Sequence, residues 1–237
     1  MRITLASEPS WQAPLSVATL VFPGVTAIDY IGPATILGFF SEIHLCWKDT
    51  STIYSDIGFP IQPTMSFADC IDSFDVLLVP GGAGTSDMLA DQEVLAFLRQ
   101  ASERSKYITS VCTGSLILAA AGLLDGYKTA AYWGTQEILA EHGISVVKQR
   151  VVEDRNRFSG GGMTSGIDFG LSLLAKLRGE KAAKLAQLLI EYDPAPPFFS
   201  GSPEKAETNV LELATTILEP MRQAVNDGFE RNVKARC

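Results

Sequence analysis

Apolar runs of strand length alternate along this chain with stretches whose apolar residues recur at helical spacing. The clearest runs cover residues 16–22, 43–47, 75–79 and 107–111. Short apolar runs bounded by turn residues such as Pro and Gly indicate buried strands. Their alternation with helices indicates βαβ units, which build a mostly parallel sheet with helices on both faces. The sequence therefore predicts an α/β fold of the doubly wound type.

Helices are predicted where apolar residues recur every three or four positions. In residues 165–177, for example, Ile167, Leu171, Leu174 and Leu177 fall on one face. The predicted helices cover residues 34–40 (started by Gly32-Pro33), 92–105, 113–124, 135–141, 165–177, 181–192, and a last segment from about 204 that Pro220 interrupts or kinks. Short strands are predicted at 129–131, 146–152 and 158–159, a hairpin or irregular edge at 52–63, and irregular structure at 192–203.

Composition narrows the classes of protein to consider. The chain has 237 residues, 46% of them hydrophobic and 19% charged, which is typical of a globular protein and not of a disordered one. A net charge of −8 disfavours nucleic acid as a partner, because phosphate contacts need clustered Lys and Arg. No apolar run reaches the ~20 residues that span a bilayer. Residues 1–15 lack the apolar segment of a secretory signal, and we interpret them as a flexible extension.

The cysteines indicate a reducing compartment. Cys46, Cys70, Cys112 and Cys237 are widely spaced and include no CxxC pair. This spacing argues against a zinc site and against a disulfide framework. The cytoplasm is therefore the expected location.

One of these cysteines stands at a strand-to-helix junction. Cys112 follows an apolar strand, and Thr113-Gly114-Ser115 form the turn into a helix of small residues. Such an elbow presents a nucleophile at the edge of the sheet, and a helix N-terminus lowers the pKa of a thiol. The alternative is a buried structural cysteine, the commoner role of this residue in a core.

Two further candidates follow other strands. Gly81-Gly82 directly follow the strand at 75–79 and could donate backbone N–H groups to a negatively charged intermediate, or form a simple tight turn. Asp29 follows the first strand and could cap the next helix or place a carboxyl group beside the thiol, where a raised pKa would let it shuttle protons. Because ligands of such folds bind at the carboxyl ends of the strands, we expect these residues to share one site with Cys112.

Other chemically interesting residues are more simply structural. His44 lies inside an apolar strand and His142 at the end of a helix, so a Cys-His dyad has no obvious source. Tyr132 and Trp133 follow a short strand and could line a pocket or belong to the core. The glycines at 160–162 lack a phosphate-binding context and indicate a turn.

Five segments resemble the ThiJ/PfpI superfamily, within the class I glutamine amidotransferase-like fold. They are TLVFPGVTAIDYIGP, DVLLVPGGAG, ITSVCTGSLILAAAGLLDGYKTAAYW, SGGGMTSGIDFGLSLLA and IEYDPAPPFFSGSP, in the family's order. They cover nearly the whole chain after about residue 16. The CTGSLILAAAGLL segment is specific for the superfamily, and YDPAPPF is similar to its isonitrile hydratase branch.

The resemblance implies a flavodoxin-like single domain over residues 16–237, a homodimer, and no metal or organic cofactor. It implies that Cys112 is the nucleophile, that Thr113 contributes to the site, and that Asp29 is the acidic residue beside the nucleophile. Gly82 matches the backbone amide donor. Family members commonly carry a Thr and a His where this chain has Ala130 and Tyr132, so the substrate pocket is expected to differ.

The activity that this branch implies is hydration of an isonitrile to an N-substituted formamide, through a covalent thioimidate on Cys112. One alternative is a glyoxalase- or deglycase-like activity on reactive aldehydes, and another is a non-enzymatic redox sensor. The peptidase-like branch has His after the nucleophile, whereas Thr113 stands there in this chain. Related regulators carry a C-terminal helix-turn-helix domain, for which too few residues follow Glu204.

Overall fold

The computed structural model describes Trp11, residues 13–70 and residues 73–236. Most of the extension predicted over residues 1–15 therefore lies outside the described part of the chain. Trp11, however, is buried and packs edge-on against Phe40, with ring centroids 5.2 Å apart. This part of the predicted extension therefore contacts the domain.

The elements follow one another in the predicted alternation. The strands are β1 (Leu15–Leu20), β2 (Ser41–Trp47), β3 (Ile53–Tyr54), β4 (Pro60–Ile61), β5 (Met65–Ser66), β6 (Phe74–Val79), β7 (Ser105–Val111), β8 (Lys128–Thr129), β9 (Ser145–Val146), β10 (Val151–Asp154) and β11 (Arg157–Gly160). The helices are α1 (Ala27–Leu37), α2 (Thr85–Met88), α3 (Gln92–Glu103), α4 (Gly114–Ala120), α5 (Gln136–Glu141), α6 (Ser165–Arg178), α7 (Glu180–Leu189) and α8 (Thr208–Arg236).

The central sheet has seven strands in the order β10-β11-β7-β6-β1-β2-β5. Every neighbouring pair is parallel except β10 and β11, which are antiparallel. Helices α1, α6 and α7 pack together, whereas α3 and α4 contact β6 and β7 and α8 contacts α2. The predicted doubly wound, flavodoxin-like α/β fold is confirmed.

The central strands are apolar because both of their faces are covered. In β1 and β6 nearly every residue is buried, including Val17, Leu20, Val76 and Leu78. The carboxyl ends of β1, β6 and β7 lie side by side, since these strands are neighbours and parallel. The three loops that sequence analysis singled out therefore emerge at one edge of the sheet.

Helix α1 corrects one prediction. It begins at Ala27 and not after Gly32-Pro33, so Pro33 lies inside the helix and Asp29 lies in its first turn, not in a loop. Proline normally ends a helix because it lacks an N–H group and crowds the preceding turn. Here α1 packs closely on α6, where Gly166 faces the Pro33 ring, and this tertiary contact outweighs the local preference.

Two further predicted elements differ from those in the structure. The strand predicted at 146–152 is divided into β9 and β10, which pair with different partners. Helix α8 runs through Pro220 without interruption. Residues 216 and 220 are both exposed, so water can satisfy the carbonyl group that loses its donor there.

Candidate active site

Cys112 lies in the tight turn between β7 and α4. Its φ of 59° is in the left-handed region, which costs a non-glycine residue about 1–2 kcal/mol. Two hydrogen bonds hold the turn: the Cys112 N–H donates to Gly160 O (3.1 Å), and Ser115 Oγ donates to Cys112 O (3.0 Å). A strained residue held this firmly is typical of a functional site.

Asp29 reaches the same point from the first turn of α1. Its side chain is fully buried, and Oδ2 accepts a hydrogen bond from the Gly81 N–H (3.0 Å). Among the described residues, Oδ1 has no hydrogen-bond partner. Burial raises the pKa of Asp29 from 3.8 to about 7, although the Gly81 N–H and the Cys112 thiol favour the ionised form. This carboxyl group is therefore able to take up and release a proton near neutral pH.

The Cys112 thiol differs from the expectation. A helix N-terminus was expected to lower its pKa, but burial and then the negative charge of Asp29 raise the pKa well above its usual value. The Thr113 N–H and hydroxyl act in the opposite direction without compensating for them. Only 4% of Cys112 is exposed, so water stabilises a thiolate poorly. The resting group is a neutral thiol that needs a base.

The Thr113 hydroxyl connects the elbow to the turn after β6. Thr113 Oγ1 accepts a hydrogen bond from the Gly82 N–H (3.0 Å) and lies 2.9 Å from Thr85 Oγ1. The same hydroxyl interacts with the Cys112 thiol. The Gly82 N–H, expected to be a free donor, is therefore engaged in positioning Thr113.

Gly81 and Gly82 are required by close contacts. A Cβ atom at Gly81 would collide with the side chain and backbone of Thr113, and one at Gly82 would collide with the backbone of residues 24 and 26. Gly82 also has a φ of 148°, which side-chain-bearing residues rarely adopt. The glycine pair thus lets the end of β6 touch both the elbow and the start of α1.

Tyr132 and Trp133 border the site. Both are half-buried, and their ring centroids lie 5.7 Å apart. Burial raises the pKa of Tyr132, and the charge of a Cys112 thiolate adds to the effect, which links Tyr132 electrostatically to the nucleophile position. Tyr132 therefore lies close enough to Cys112 for their charges to interact.

The histidines lie elsewhere. The ring of His44 is 6.1 Å from that of Phe74, and the ring of His142 packs edge-on at 4.0 Å from that of Phe229. Neither shifts the pKa of Cys112. Within the described part of the chain, no three His, Cys, Asp or Glu side chains form a cluster that could hold a metal ion.

Two neighbours of the site, Thr85 and Asp56, are not among the residues predicted from the sequence. Thr85 lies in α2, which has four residues and too short a pattern to be recognised, although it directly follows the DVLLVPGGAG segment. Asp56, in the turn between β3 and β4, accepts a hydrogen bond from Thr26 Oγ1 (2.5 Å), and its charge also raises the pKa of Asp29. No local pattern indicates that this hairpin folds against α1.

A cavity of about 300 Å³ opens at a different place, between the ends of α4, α5 and α8. It is lined by Ala119, Ala120, Gly122, Asp125, His142, Ile144, Phe229, Asn232 and Val233. Neither Cys112 nor Asp29 is among the residues that line this cavity. Geometry and charge, and not cavity size, identify the candidate active site.

Several known proteins are similar to this chain in sequence and fold. Residues 15–176 match the DJ-1/PfpI family. The chain is 45% identical over 219 residues to the isonitrile hydratase of Pseudomonas putida, a match covering 92% of this chain and 96% of that protein. A crystal structure of a ThiJ/PfpI family protein from Pseudomonas syringae has a TM-score of 0.90 at 39% identity, covering 98% of this chain and 97% of its own. The HTH-type transcriptional regulator GbdR of Pseudomonas aeruginosa is 26% identical, and the match covers 77% of this chain and 52% of the regulator.

None of the described helices is long and apolar enough to cross a membrane.

Proposed function

Because this chain belongs to the DJ-1/PfpI family and resembles an isonitrile hydratase over nearly its whole length, we propose that it hydrates isonitriles to N-substituted formamides. The observation that carries the proposal is the pairing of the Cys112 thiol with the Asp29 carboxyl group, whose pKa is raised to about 7. An isonitrile requires both a soft nucleophile and a proton at its terminal carbon. This pair supplies the two together.

In the first step, Asp29 takes the Cys112 proton as the sulfur attacks the terminal carbon of R–N≡C. Asp29 then delivers that proton to the same carbon, giving the thioimidate R–N=CH–S–Cys112. The unpartnered Oδ1 is suited to this transfer, since Oδ2 is held by the Gly81 N–H. Negative charge develops on carbon and not on oxygen, so a proton donor matters more here than a free oxyanion hole.

In the second step, Asp29 removes a proton from water as the water oxygen attacks the thioimidate carbon, and passes that proton to the nitrogen. The tetrahedral carbon then expels the Cys112 thiolate, the proton of the new hydroxyl group moves to the sulfur by way of Asp29, and R–NH–CHO leaves. The Thr113 N–H and hydroxyl stabilise the departing thiolate, because both favour the charged form of Cys112. One water molecule is consumed and the thiol is restored.

The competing functions have less physical support. A redox sensor works best with an exposed thiol of low pKa, whereas this thiol is buried and its pKa is raised. A glyoxalase- or deglycase-like activity would use the same cysteine on an aldehyde, whose reaction creates an oxyanion. The Gly82 N–H, which could have bound that charge, is engaged by Thr113. We propose the cytoplasm as the location, since a nucleophilic thiol needs a reducing environment.

Formamide production tests the function directly. Incubation with an alkyl and with an aryl isonitrile should give the matching N-substituted formamides, measured by chromatography against a protein-free control. Methylglyoxal, assayed in parallel, should be consumed far more slowly. If several isonitriles remain unconsumed while methylglyoxal disappears, the aldehyde function replaces the one proposed.

Replacing Thr85 with valine should lower kcat by about tenfold. Thr113 Oγ1 accepts a hydrogen bond from the Gly82 N–H and lies within hydrogen-bond distance of Thr85 Oγ1. When the Thr85 hydroxyl donates to Thr113 Oγ1, the Thr113 hydroxyl proton is free to point at the Cys112 sulfur. Valine has nearly the same shape but cannot donate, and a hydrogen bond between two neutral hydroxyl groups contributes roughly 0.5–1.5 kcal/mol, which corresponds to about tenfold in rate at most. Steady-state kinetics should show reduced kcat, with KM little changed.

Thr85→Ser is the matched control and should retain most of the activity, since it keeps the hydroxyl group. Equal loss in Thr85→Val and Thr85→Ser would indicate a packing effect and would remove the proposed role of the hydroxyl.

We further propose that the protein is a homodimer, with the N-terminal half of α8 in the interface. Val210, Leu213 and Ile217 are 46%, 62% and 67% exposed, and their spacing places them on one face of the helix. Leu188 and Phe198, 76% and 80% exposed, add apolar surface outside α8. A second copy of the chain would remove this surface from water.

The dimer can be tested by light scattering during size-exclusion chromatography. The wild type should have twice the chain mass of 25.5 kDa. Leu213→Glu should shift it toward the monomer, because an unpaired charge would be buried in the interface. Thr215→Glu, which is exposed on the opposite side of α8, should leave the mass unchanged. A monomeric wild type would contradict the proposal.

A further inference from the structure

Two buried thiols lie in contact in a region that the proposed reaction does not use. Cys46 Sγ and Cys70 Sγ are 3.3 Å apart, and both residues are almost completely buried. Cys46 belongs to β2, at the side of the sheet away from β7, and Cys70 ends the turn that follows β5. We propose that Cys46 and Cys70 are a redox-active pair that closes to a reversible disulfide.

The two sulfur atoms are already close to the separation of a cross-link. A disulfide requires the sulfur atoms to approach to about 2.05 Å, a movement of about 1.3 Å from their present separation. Cys46 is fixed by pairing with Leu20 on one side and Met65 on the other. Cys70 is outside the strands, and its N–H makes only a long hydrogen bond to Phe67 O (3.3 Å), so its side of the pair is better able to make the movement than Cys46.

The charges around the pair favour reaction at Cys70. Hydrogen bonding with Cys46 lowers the pKa of Cys70, and Arg104 acts in the same direction, whereas burial and Asp69 oppose them. Arg104 Nη2 also donates to Cys70 O (3.1 Å), which keeps the positive charge beside the turn. The pKa of Cys46 is raised, first by its hydrogen bond with Cys70. Cys70 also lies in a turn next to the exposed residues 68 and 69, whereas Cys46 is paired on both sides within the sheet, so we assign Cys70 as the attacking thiol and Cys46 as the resolving one.

The oxidant must be small, and a peroxide satisfies this condition. The Cys70 thiolate attacks one oxygen of H₂O₂, the O–O bond breaks, and a sulfenic acid and hydroxide form. The Cys46 sulfur, now without a negative neighbour, loses its proton and displaces hydroxide from the Cys70 sulfur. The sum is two thiols and H₂O₂ giving one disulfide and two water molecules. Residues 68 and 69, next to Cys70 in the chain, are exposed, and this is the side from which peroxide is expected to approach.

The cross-link would act on the segment that borders the active site. The chain between Cys46 and Cys70 contains β3 and β4, whose connecting turn carries Asp56. Asp56 accepts a hydrogen bond from Thr26 Oγ1 at the start of α1, and the Tyr54 carbonyl accepts one from the Gly24 N–H. Closing this loop restricts the unfolded chain and so stabilises the folded one.

Peptide mapping of the folded wild-type chain is the decisive experiment. Trypsin places Cys46, Cys70 and Cys112 on separate peptides, residues 3–48, 49–99 and 107–128. After mild peroxide treatment and blocking of free thiols, unreduced digests should contain peptide 3–48 linked to peptide 49–99, with two hydrogen atoms fewer than the separate peptides. A thiol reductant should release both. The same treatment in urea should give mixed pairings, because the thiols are then no longer held together.

Cys46→Ala and Cys70→Ala provide controls, and each should lack the linked product. In a Cys112→Ala background, peroxide should raise the melting temperature, and Cys46→Ala added to that background should abolish the rise. The proposal is overturned if Cys46 and Cys70 are both recovered as free thiols at peroxide doses that fully oxidise Cys112. It is equally overturned if the folded chain gives mixed pairings. Neither result bears on isonitrile hydration.

Discussion

Formamide production is expected to disappear when Cys112 is replaced with alanine. The sulfur forms the covalent thioimidate in the proposed reaction, and no other described thiol lies beside Asp29. Loss of a covalent nucleophile typically costs a factor on the order of 10⁶ in kcat. The measurement is initial rate of formamide formation at saturating isonitrile, with intact-protein mass spectrometry to detect the adduct in the wild type.

The fold should tolerate this replacement. Alanine and cysteine are equally strained at a φ of 59°, so Cys112→Ala should unfold at nearly the wild-type denaturant concentration. Cys112→Gly should relieve about 1 kcal/mol of backbone strain and so raise the free energy of unfolding, because glycine adopts a positive φ readily. Turnover that survives in a folded Cys112→Ala protein would exclude the covalent mechanism.

The second large effect is expected from Asp29→Asn, which should lower kcat/KM by about 10²–10⁴-fold, the usual contribution of a general acid–base group. Asparagine can still accept from the Gly81 N–H but cannot exchange a proton. For the wild type, kcat/KM should rise with pH through about 7, since the carboxyl group must be ionised to take the Cys112 proton. In Asp29→Asn this rising limb should be absent.

Stability should change with pH in the opposite direction to activity. The pKa of Asp29 is about 7 in the folded chain and near 3.8 when unfolded, so between these values only the folded state holds the proton. The free energy of unfolding should therefore fall as pH rises from about 4 to 7, and then level off. The shift corresponds to a loss of roughly 4 kcal/mol at most.

Comparing the free energy of unfolding of the wild type with that of Asp29→Asn isolates the contribution of Asp29 to this pH dependence. Urea unfolding at about pH 5 and pH 8 should show the wild type losing more stability than Asp29→Asn. Equal losses would mean that Asp29 is ionised in the folded protein at both pH values, and its role as a proton shuttle near neutral pH would then have to be abandoned. The ionised form of Asp29, which the reaction needs, is thus the form in which the folded protein is less stable.

Local patterns were sufficient for most elements and for the position of the nucleophile. The apolar runs that became β1, β6 and β7 are buried on both faces, so burial alone makes them recognisable in the sequence. Local patterns failed where packing overrode them. Pro33 stays helical because α1 lies against α6, and α2 is too short to leave a periodic signal.

The sequence by itself determined the elbow and the glycine pair after β6, because turn residues and the apolar runs before them are local properties. The expectation that Asp29 meets them followed from the ligand-binding edge that such α/β folds share. Only the tertiary structure decided the protonation states. Burial, a sum over neighbours from distant segments, raises the pKa of both Asp29 and Cys112 and outweighs the helix N-terminus beside the thiol. It also decided that the Gly82 N–H serves Thr113, that Thr85 joins this network, and that Cys46 meets Cys70 across 24 residues. Such contacts join segments far apart in the chain, and no local pattern records them.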